Sequence, residues 1–227
     1  MPANLSASNW DFPTLNQMPD EEDLVVVGAD LKPETLIDSY SHGIFPMHFD
    51  TKINNKKQKV LGWWSPDPRG ILPIDSIRIS HSLKKSMKKF KVTFDKDFIS
   101  VMNACGDDKR PKGWINSEIK KAYLDLHELG FAHSVEVWNQ NDELVGGLYG
   151  VEVNGLFAGE SMFHTQTDAS KTAMVYLVEK LSQGGTERLF DVQWQTPHLK
   201  SMGVKEISRK QYFEKLEKAL KLKPIFN

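Results

Sequence analysis

The chain has 227 residues and a net charge of −1 at pH 7, so any affinity for nucleic acid has to come from local clusters of charge. A single cysteine excludes an internal disulfide, which fits a reducing compartment, and no apolar run is long enough to span a bilayer. The length suits one large domain or two smaller ones.

Residues 1–23 are polar apart from isolated aromatics such as Trp10 and Phe12, and they lack the basic-then-apolar pattern of a secretory signal; a cytoplasmic location is expected. Leu24–Val27 is a β-branched run stopped by Gly28. Pro33 then opens a helix whose apolar face is Leu36, Ile37 and Tyr40, with Gly43 as its stop. Residues 50–59 are polar, lysine-rich and without periodicity, and they read as an exposed loop. In the segment from Gly62 to Gly70, Trp63 and Trp64 stand beside Arg69; they suit either a stacking surface for a base or a plug between domains. A boundary near residue 65 divides the chain into a small N-terminal domain, 1–65, and a larger one, 66–227.

Ser80 caps a helix expected to run to about Phe90, with Leu83, Met87 and Phe90 as its buried stripe. Lys84, Lys85, Lys88 and Lys89 lie off that stripe with no acid among them. They fit a solvated face or, because like charges repel, an anionic partner. A strand over 91–94 and a helix over 97–104 follow, with Cys105 in the core. A loop at 106–113 precedes Trp114, a candidate stacking surface. The next helix covers 117–129, with Tyr123 among its apolar positions. Three runs, 132–138, 144–151 and 156–159, are separated by short polar turns and predict an antiparallel meander. Asp168 caps a helix over 169–183, a strand covers 189–194, a helical turn starts at Pro197, and Ser208 caps the last helix over 209–222. This order predicts a mixed α+β fold of a sheet layered with helices.

The chemistry-bearing residues cluster late. Glu160, flanked by Gly159 and Ser161, stands where the strand at 156–159 breaks, presenting a carboxylate at a sheet edge. Asp191 and Gln193, two apart on a strand, are expected to share one face, with Val192 turned into the core. If Glu160 faces the same pocket, two carboxylates and an amide converge, an arrangement suited to holding an amine nucleophile and handling its proton. None of the seven histidines is paired at i+3 or i+4, so no metal site is expected. Gly146-Gly147 predicts a close backbone approach or a bulge.

Taken together, several segments resemble the bacterial leucyl/phenylalanyl-tRNA–protein transferase family. They are Gly43-Ile44-Phe45-Pro46, the run from Trp63 to Arg69, the run from Phe131 to Trp138, the run from Leu144 to Gly150, Gly159-Glu160-Ser161-Met162-Phe163, Ala169-Ser170-Lys171-Thr172 and Phe190-Asp191-Val192-Gln193. They fall in family order and cover most of the chain from Leu24 onward. The resemblance implies an enzyme that moves Leu or Phe from an aminoacyl-tRNA to the α-amine of proteins beginning with Arg or Lys, marking them for degradation. It implies a larger domain of the GCN5-related acetyltransferase type. It also implies that no cofactor is needed, since the ester is already activated. By the family's motifs Gln193 contacts the attacking amine and is held by Asp191, the pair acting as a base or as an orienting device. Glu160 suits the cationic acceptor end. Leu148, Phe157 and Met162 line the pocket for the leucyl or phenylalanyl side chain, Tyr123 and Trp114 lie near the terminal adenosine, and the lysines at 84, 85, 88 and 89 bind the acceptor stem. One departure is Met47, where the family commonly has Trp. Two other readings compete: a coenzyme A-dependent acetyltransferase, which lacks its Gly-rich pyrophosphate loop here, and a non-catalytic RNA-binding module using the lysine face.

Overall fold

The computed structural model describes residues 2–20, 22–107 and 114–226; most of the expected loop at 106–113 lies outside the described residues. The strands fall into two sheets. In the first, β1 (Leu24–Val27), β2 (Phe45–Ile53) and β3 (Lys56–Trp64) pair antiparallel in the order β1-β3-β2, and α1 (Pro33–Ser41) links β1 to β2. The second sheet holds β4 (Arg69–Leu72), β5 (Lys91–Phe94), β6 (Ala132–Trp138), β7 (Leu144–Val153), β8 (Leu156–His164), β9 (Leu189–Gln193) and β10 (Lys205–Ile207), in the order β10-β4-β9-β8-β7-β6-β5. Every pair in it is antiparallel except β8–β9. The remaining helices are α2 (His81–Met87), α3 (Phe98–Cys105), α4 (Ser117–Glu128), α5 (Ala169–Ser182), α6 (Pro197–Ser201) and α7 (Arg209–Ala219). The expected α+β class and the β6–β7–β8 meander are therefore present. Among the described residues no helix is long and apolar enough to cross a membrane.

The large sheet has an apolar layer on each face, as the strand period of two requires. Tyr149 and Val151 of β7 face a core shared with Leu36 and Tyr40 of α1, Met102 of α3, Tyr123 and Leu126 of α4 and Leu216 of α7. Leu148 faces the other core, with Val135, Phe157, Phe190 and the apolar residues of α5. Gly146 and Gly147 serve close approach: a Cβ on Gly146 would lie 2.5 Å from that of Ala169 at the start of α5, and one on Gly147 would lie 2.6 Å from the Val135 carbonyl. Several helices begin on side-chain caps, Asn116 accepting from the Ile119 N–H and Ser208 from the Gln211 N–H.

Several expectations are corrected. Residues 50–59 are not a loop. They form the end of a long β2–β3 hairpin turned by Asn54-Asn55, both at positive φ (51° and 61°), the conformation that a two-residue type I′ turn demands. The strand over 156–159 does not stop at Gly159 but runs to His164. The helix after Ser80 ends at Met87, and Lys89 and Phe90 close it with bonds to carbonyls three residues back. Asp168 makes no side-chain cap; it sits at φ 67° and its carboxylate meets Lys171 at 3.1 Å. For the tryptophans, of the two readings left open the structural one holds: Trp63 is fully buried and donates to the Gly28 carbonyl at 2.7 Å, while Trp64 donates to the Met47 carbonyl at 3.0 Å.

Candidate active site

The site lies where two parallel strands part. β8 and β9 pair only from Leu156–Leu189 to Ala158–Asp191. Beyond that point each strand goes its own way, and a cavity of about 290 Å3 opens between them. Its walls are mostly apolar, with Leu148 of β7, Met162 of β8, Phe190 and Val192 of β9 and Leu199 of α6, and Ser161 and His198 add polar groups. A second cavity, about 600 Å3, shares with it a wall made by Glu160, Val192, Gln193, Thr196 and Leu199. Aromatic and apolar groups from both halves of the chain, Phe45, Met47, Trp114 and Trp194, complete it.

Glu160 reaches this wall because of a β-bulge. Tyr149 of β7 pairs with Ser161 and Gly150 with Gly159, which leaves Glu160 as the extra residue of β8. A bulge re-aims its side chain without ending the strand. The carboxylate is met by two buried phenols: Tyr40 of α1 donates to Oε1 at 2.7 Å, Tyr123 of α4 donates to Oε2 at 3.1 Å, and the two hydroxyls are 2.5 Å apart. Burial is the strongest influence on Glu160 and carries its pKa up to about 7; the tyrosine hydrogen bonds pull the other way, Asp191 adds to the rise and Arg69 opposes it. Burial and the neighbouring Glu160 push both tyrosines well above their ordinary value, so they remain neutral donors.

Asp191 is fully buried and its two oxygens take four donors. Oδ1 accepts from Arg69 Nε at 2.9 Å and from the Gln193 N–H at 2.9 Å. Oδ2 accepts from Arg69 Nη2 at 2.6 Å and the Tyr212 hydroxyl at 2.9 Å. Arg69 is also held by the Gly43 carbonyl at 3.1 Å, and its guanidinium lies over the rings of Phe45 and Tyr212. Burial is the largest influence and works against its charge, but Asp191, Tyr212 and Glu160 together outweigh it and the pKa is raised.

Gln193 departs from the extended form, at φ 58°. The strand alternation therefore fails at this residue. Val192 and Gln193 line the same cavities, whereas Asp191 lines neither, which corrects the expectation that Asp191 and Gln193 share a face. The buried Gln193 Nε2 has no hydrogen-bond partner among the described residues. An unsatisfied buried amide costs about 1–3 kcal/mol, a cost that a polar group or water entering either cavity would relieve.

Of the expected binding residues, Leu148 and Met162 line the apolar cavity and Trp114 lines the second. Phe157 does not reach the cavity; it is fully buried behind Phe190, its register partner on β9, with ring centroids 5.8 Å apart. Tyr123, fully buried under Glu160, is likewise closed off from a nucleoside and acts on the carboxylate instead. Lys84, Lys85, Lys88 and Lys89 are exposed on α2 and the turn after it and line neither cavity. Sequence reasoning missed the roles of Tyr40, Arg69, Tyr212 and Phe190, although Arg69 and Phe190 both stand in segments already singled out by the family resemblance.

A family model described as leucyl/phenylalanyl-tRNA protein transferase matches residues 71–217, and a model of the N-terminal domain of leucyl/phenylalanyl-tRNA protein transferase matches residues 29–67. A protein of that name from Sulfurimonas denitrificans is 47% identical over 201 residues, covering 87% of this chain and 84% of its own length. Another, from Shewanella piezotolerans, is 42% identical over 218 residues, covering 94% and 89%. A solved structure of L-PGS from Bacillus licheniformis is 13% identical with a TM-score of 0.39, covering 66% of this chain and 56% of that one, a likeness too slight to bear on the site.

Proposed function

The chain belongs to the leucyl/phenylalanyl-tRNA protein transferase family, and from that premise we propose that its two cavities hold the two parts of an aminoacyl-adenosine while Gln193 and Glu160 receive the acceptor amine at the wall between them. The enzyme transfers leucine or phenylalanine from aminoacyl-tRNA to the N-terminal α-amine of proteins that begin with Arg or Lys. The leucyl or phenylalanyl side chain enters the apolar cavity, where unbranched Met162 adapts to either shape. The adenosine occupies the aromatic-lined cavity beside Trp114.

The acceptor nitrogen attacks the ester carbonyl, the C–N bond forms, and the C–O bond to the ribose breaks with the proton passing to the leaving hydroxyl. The ester is already activated, so the reaction depends mainly on orientation. An amide is a poor base; Gln193 accepts a hydrogen bond from the attacking amine through Oε1 and fixes its approach, which leaves the orphaned Nε2 free to donate to the ester carbonyl. Asp191 holds Gln193 in place through its backbone N–H. Glu160 attracts the cationic acceptor terminus. Lys84 and Lys85 of α2, with Lys88 and Lys89 in the turn after it, bind the phosphates of the acceptor stem, interactions that position without reading sequence. The domains are 1–65 and 66–227, a division supported by the two sheets, which share no strand. A charged tRNA as donor fits a cytoplasmic location.

The observation that carries this reading is the orphaned Gln193 amide on a wall common to both cavities. The test is transfer of labelled leucine from Leu-tRNA to an Arg-initiated peptide. Native protein is expected to transfer and Gln193→Ala to slow turnover strongly; equal rates in the two would remove the proposed site.

A further inference from the structure

Behind the apolar cavity three rings stand in file. Phe190 lines the cavity, and Phe157 meets it edge-on, at 5.8 Å between centroids and 82° between planes. Phe226 lies against the far side of Phe157, at 5.6 Å and 30°. The Phe157 ring packs closely over Gly150 of β7, where a Cβ would lie 2.5 Å from it.

Phe226 is itself clamped. Its N–H donates to Glu152 Oε2 at 3.0 Å, and the Ile225 N–H donates to Oε1 at 2.8 Å. Arg188 pairs with Glu152 at 3.3 Å and also donates to the Lys223 carbonyl. The Phe226 ring stacks on His133 at 4.3 Å, and the Lys180 ammonium lies 4.7 Å from its centroid. Glu152, Arg188, His133 and Lys180 line neither cavity of the site. A buried ion pair is a weak source of net stability, so its use here to hold one aromatic ring invites a reason beyond folding.

We propose that Phe226, held by the Glu152–Arg188 clamp, is a positioning residue that sets the depth of the apolar cavity through Phe157 and Phe190, and thereby the balance between leucine and phenylalanine as the transferred residue. This rests on the reading of that cavity as the seat of the aminoacyl side chain. Close-packed interiors relax only partly when a ring is shortened, and the space released behind Phe157 lets the file retreat from the cavity. A deeper cavity favours the larger side chain.

The test is competition between Leu-tRNA and Phe-tRNA for one Arg-initiated peptide, read as the ratio of their kcat/KM values. Phe226→Leu is expected to shift that ratio toward phenylalanine, and Phe226→Ala to shift it further, by about three- to tenfold, the range that small changes of pocket size produce. Because the ratio is taken within one preparation, a lower folded fraction cancels, and Phe226→Leu serves if Phe226→Ala does not fold. Leu148→Ala, on the cavity wall, is the control. If it alters the ratio while both Phe226 variants leave it at the native value, the proposal is overturned and the cavity reading stands. If Leu148→Ala also leaves the ratio unchanged, the cavity reading falls and the proposal with it.

Discussion

Arg69 and Asp191 meet fork to fork, Nε to Oδ1 at 2.9 Å and Nη2 to Oδ2 at 2.6 Å, with both side chains about 1% exposed. With the Gln193 N–H and the Tyr212 hydroxyl, this pair fills the lone-pair positions of the carboxylate. A carboxylate so occupied is placed to orient its neighbours. Asp191→Ala leaves Arg69 charged and unpaired in the interior, and we expect a loss of about 3–5 kcal/mol in denaturant unfolding together with loss of transfer. The double variant Arg69→Met/Asp191→Leu should regain most of that stability without regaining activity. Recovery of activity in the double variant would show that the pair has no part in placing Gln193.

Gln193 separates stability from function in the opposite sense. A non-glycine residue in the left-handed region costs on the order of 1 kcal/mol, and its orphaned amide adds to that cost. Gln193→Gly removes both penalties. It is expected to unfold at the same temperature as the native protein or higher, while its turnover falls roughly 10²–10³-fold, the usual consequence of deleting one fixed hydrogen-bonding group at a reacting centre. A calorimetric scan beside a transfer assay checks both halves of the statement.

The pKa of Glu160, about 7, lies above its ordinary value of 4.5. Between those values the folded chain keeps a proton that the unfolded chain releases. The contribution of this group to stability is thus full below pH 4.5, declines as pH rises through the window and stays lost above 7. Glu160→Gln should therefore unfold at a higher temperature than native protein at pH 8, with the gap closing by pH 5. On the proposed reading the anion is the active form, and kcat/KM is expected to show an acid limb near 7. The acceptor amine, with an ordinary pKa of about 8, adds a limb of its own. The diagnostic is accordingly the displacement between native protein and Tyr40→Phe. Loss of the 2.7 Å hydrogen bond raises the Glu160 pKa further and moves the acid limb to higher pH.

Replacing Lys84, Lys85, Lys88 and Lys89 by alanine should weaken tRNA binding evenly across sequences. The slope of log K against log salt should flatten by about 0.9 for each duplex phosphate that the protein no longer neutralises. Transfer from a short aminoacyl-adenosine fragment, which lacks the acceptor stem, should be unaffected. An unchanged salt slope would return these lysines to the role of a solvated face.

Most of the framework was legible because its signals are local. Pro33, Asn116 and Ser208 mark helix starts, and the alternation along β6 and β7 follows burial on two faces. The hairpin end was not, because residues 56–59 are exposed on both faces and carry no period-two pattern; only Asn54-Asn55 announced it. In the site, Gly159-Glu160-Ser161 looks like the end of a strand, whereas a bulge keeps β8 paired beyond it. Periodicity assumes extended backbone and so assigned Val192 and Gln193 to opposite faces, which the positive φ of Gln193 reverses. Tyr40, spaced with Leu36 and Ile37, reads as core by its ring, and nothing in the pattern reveals that its hydroxyl ends on a carboxylate 120 residues away.

That last bond, with the Arg69 grip on the Gly43 carbonyl, ties the chain before residue 65 to the chain after it at the reacting centre. A backbone nick near residue 65 would therefore leave two incomplete fragments, each holding part of the machinery. Turnover on mixing them would follow the occupancy of the reassembled pair, so titrating one fragment with the other would turn the enzyme into a gauge of its own internal cohesion.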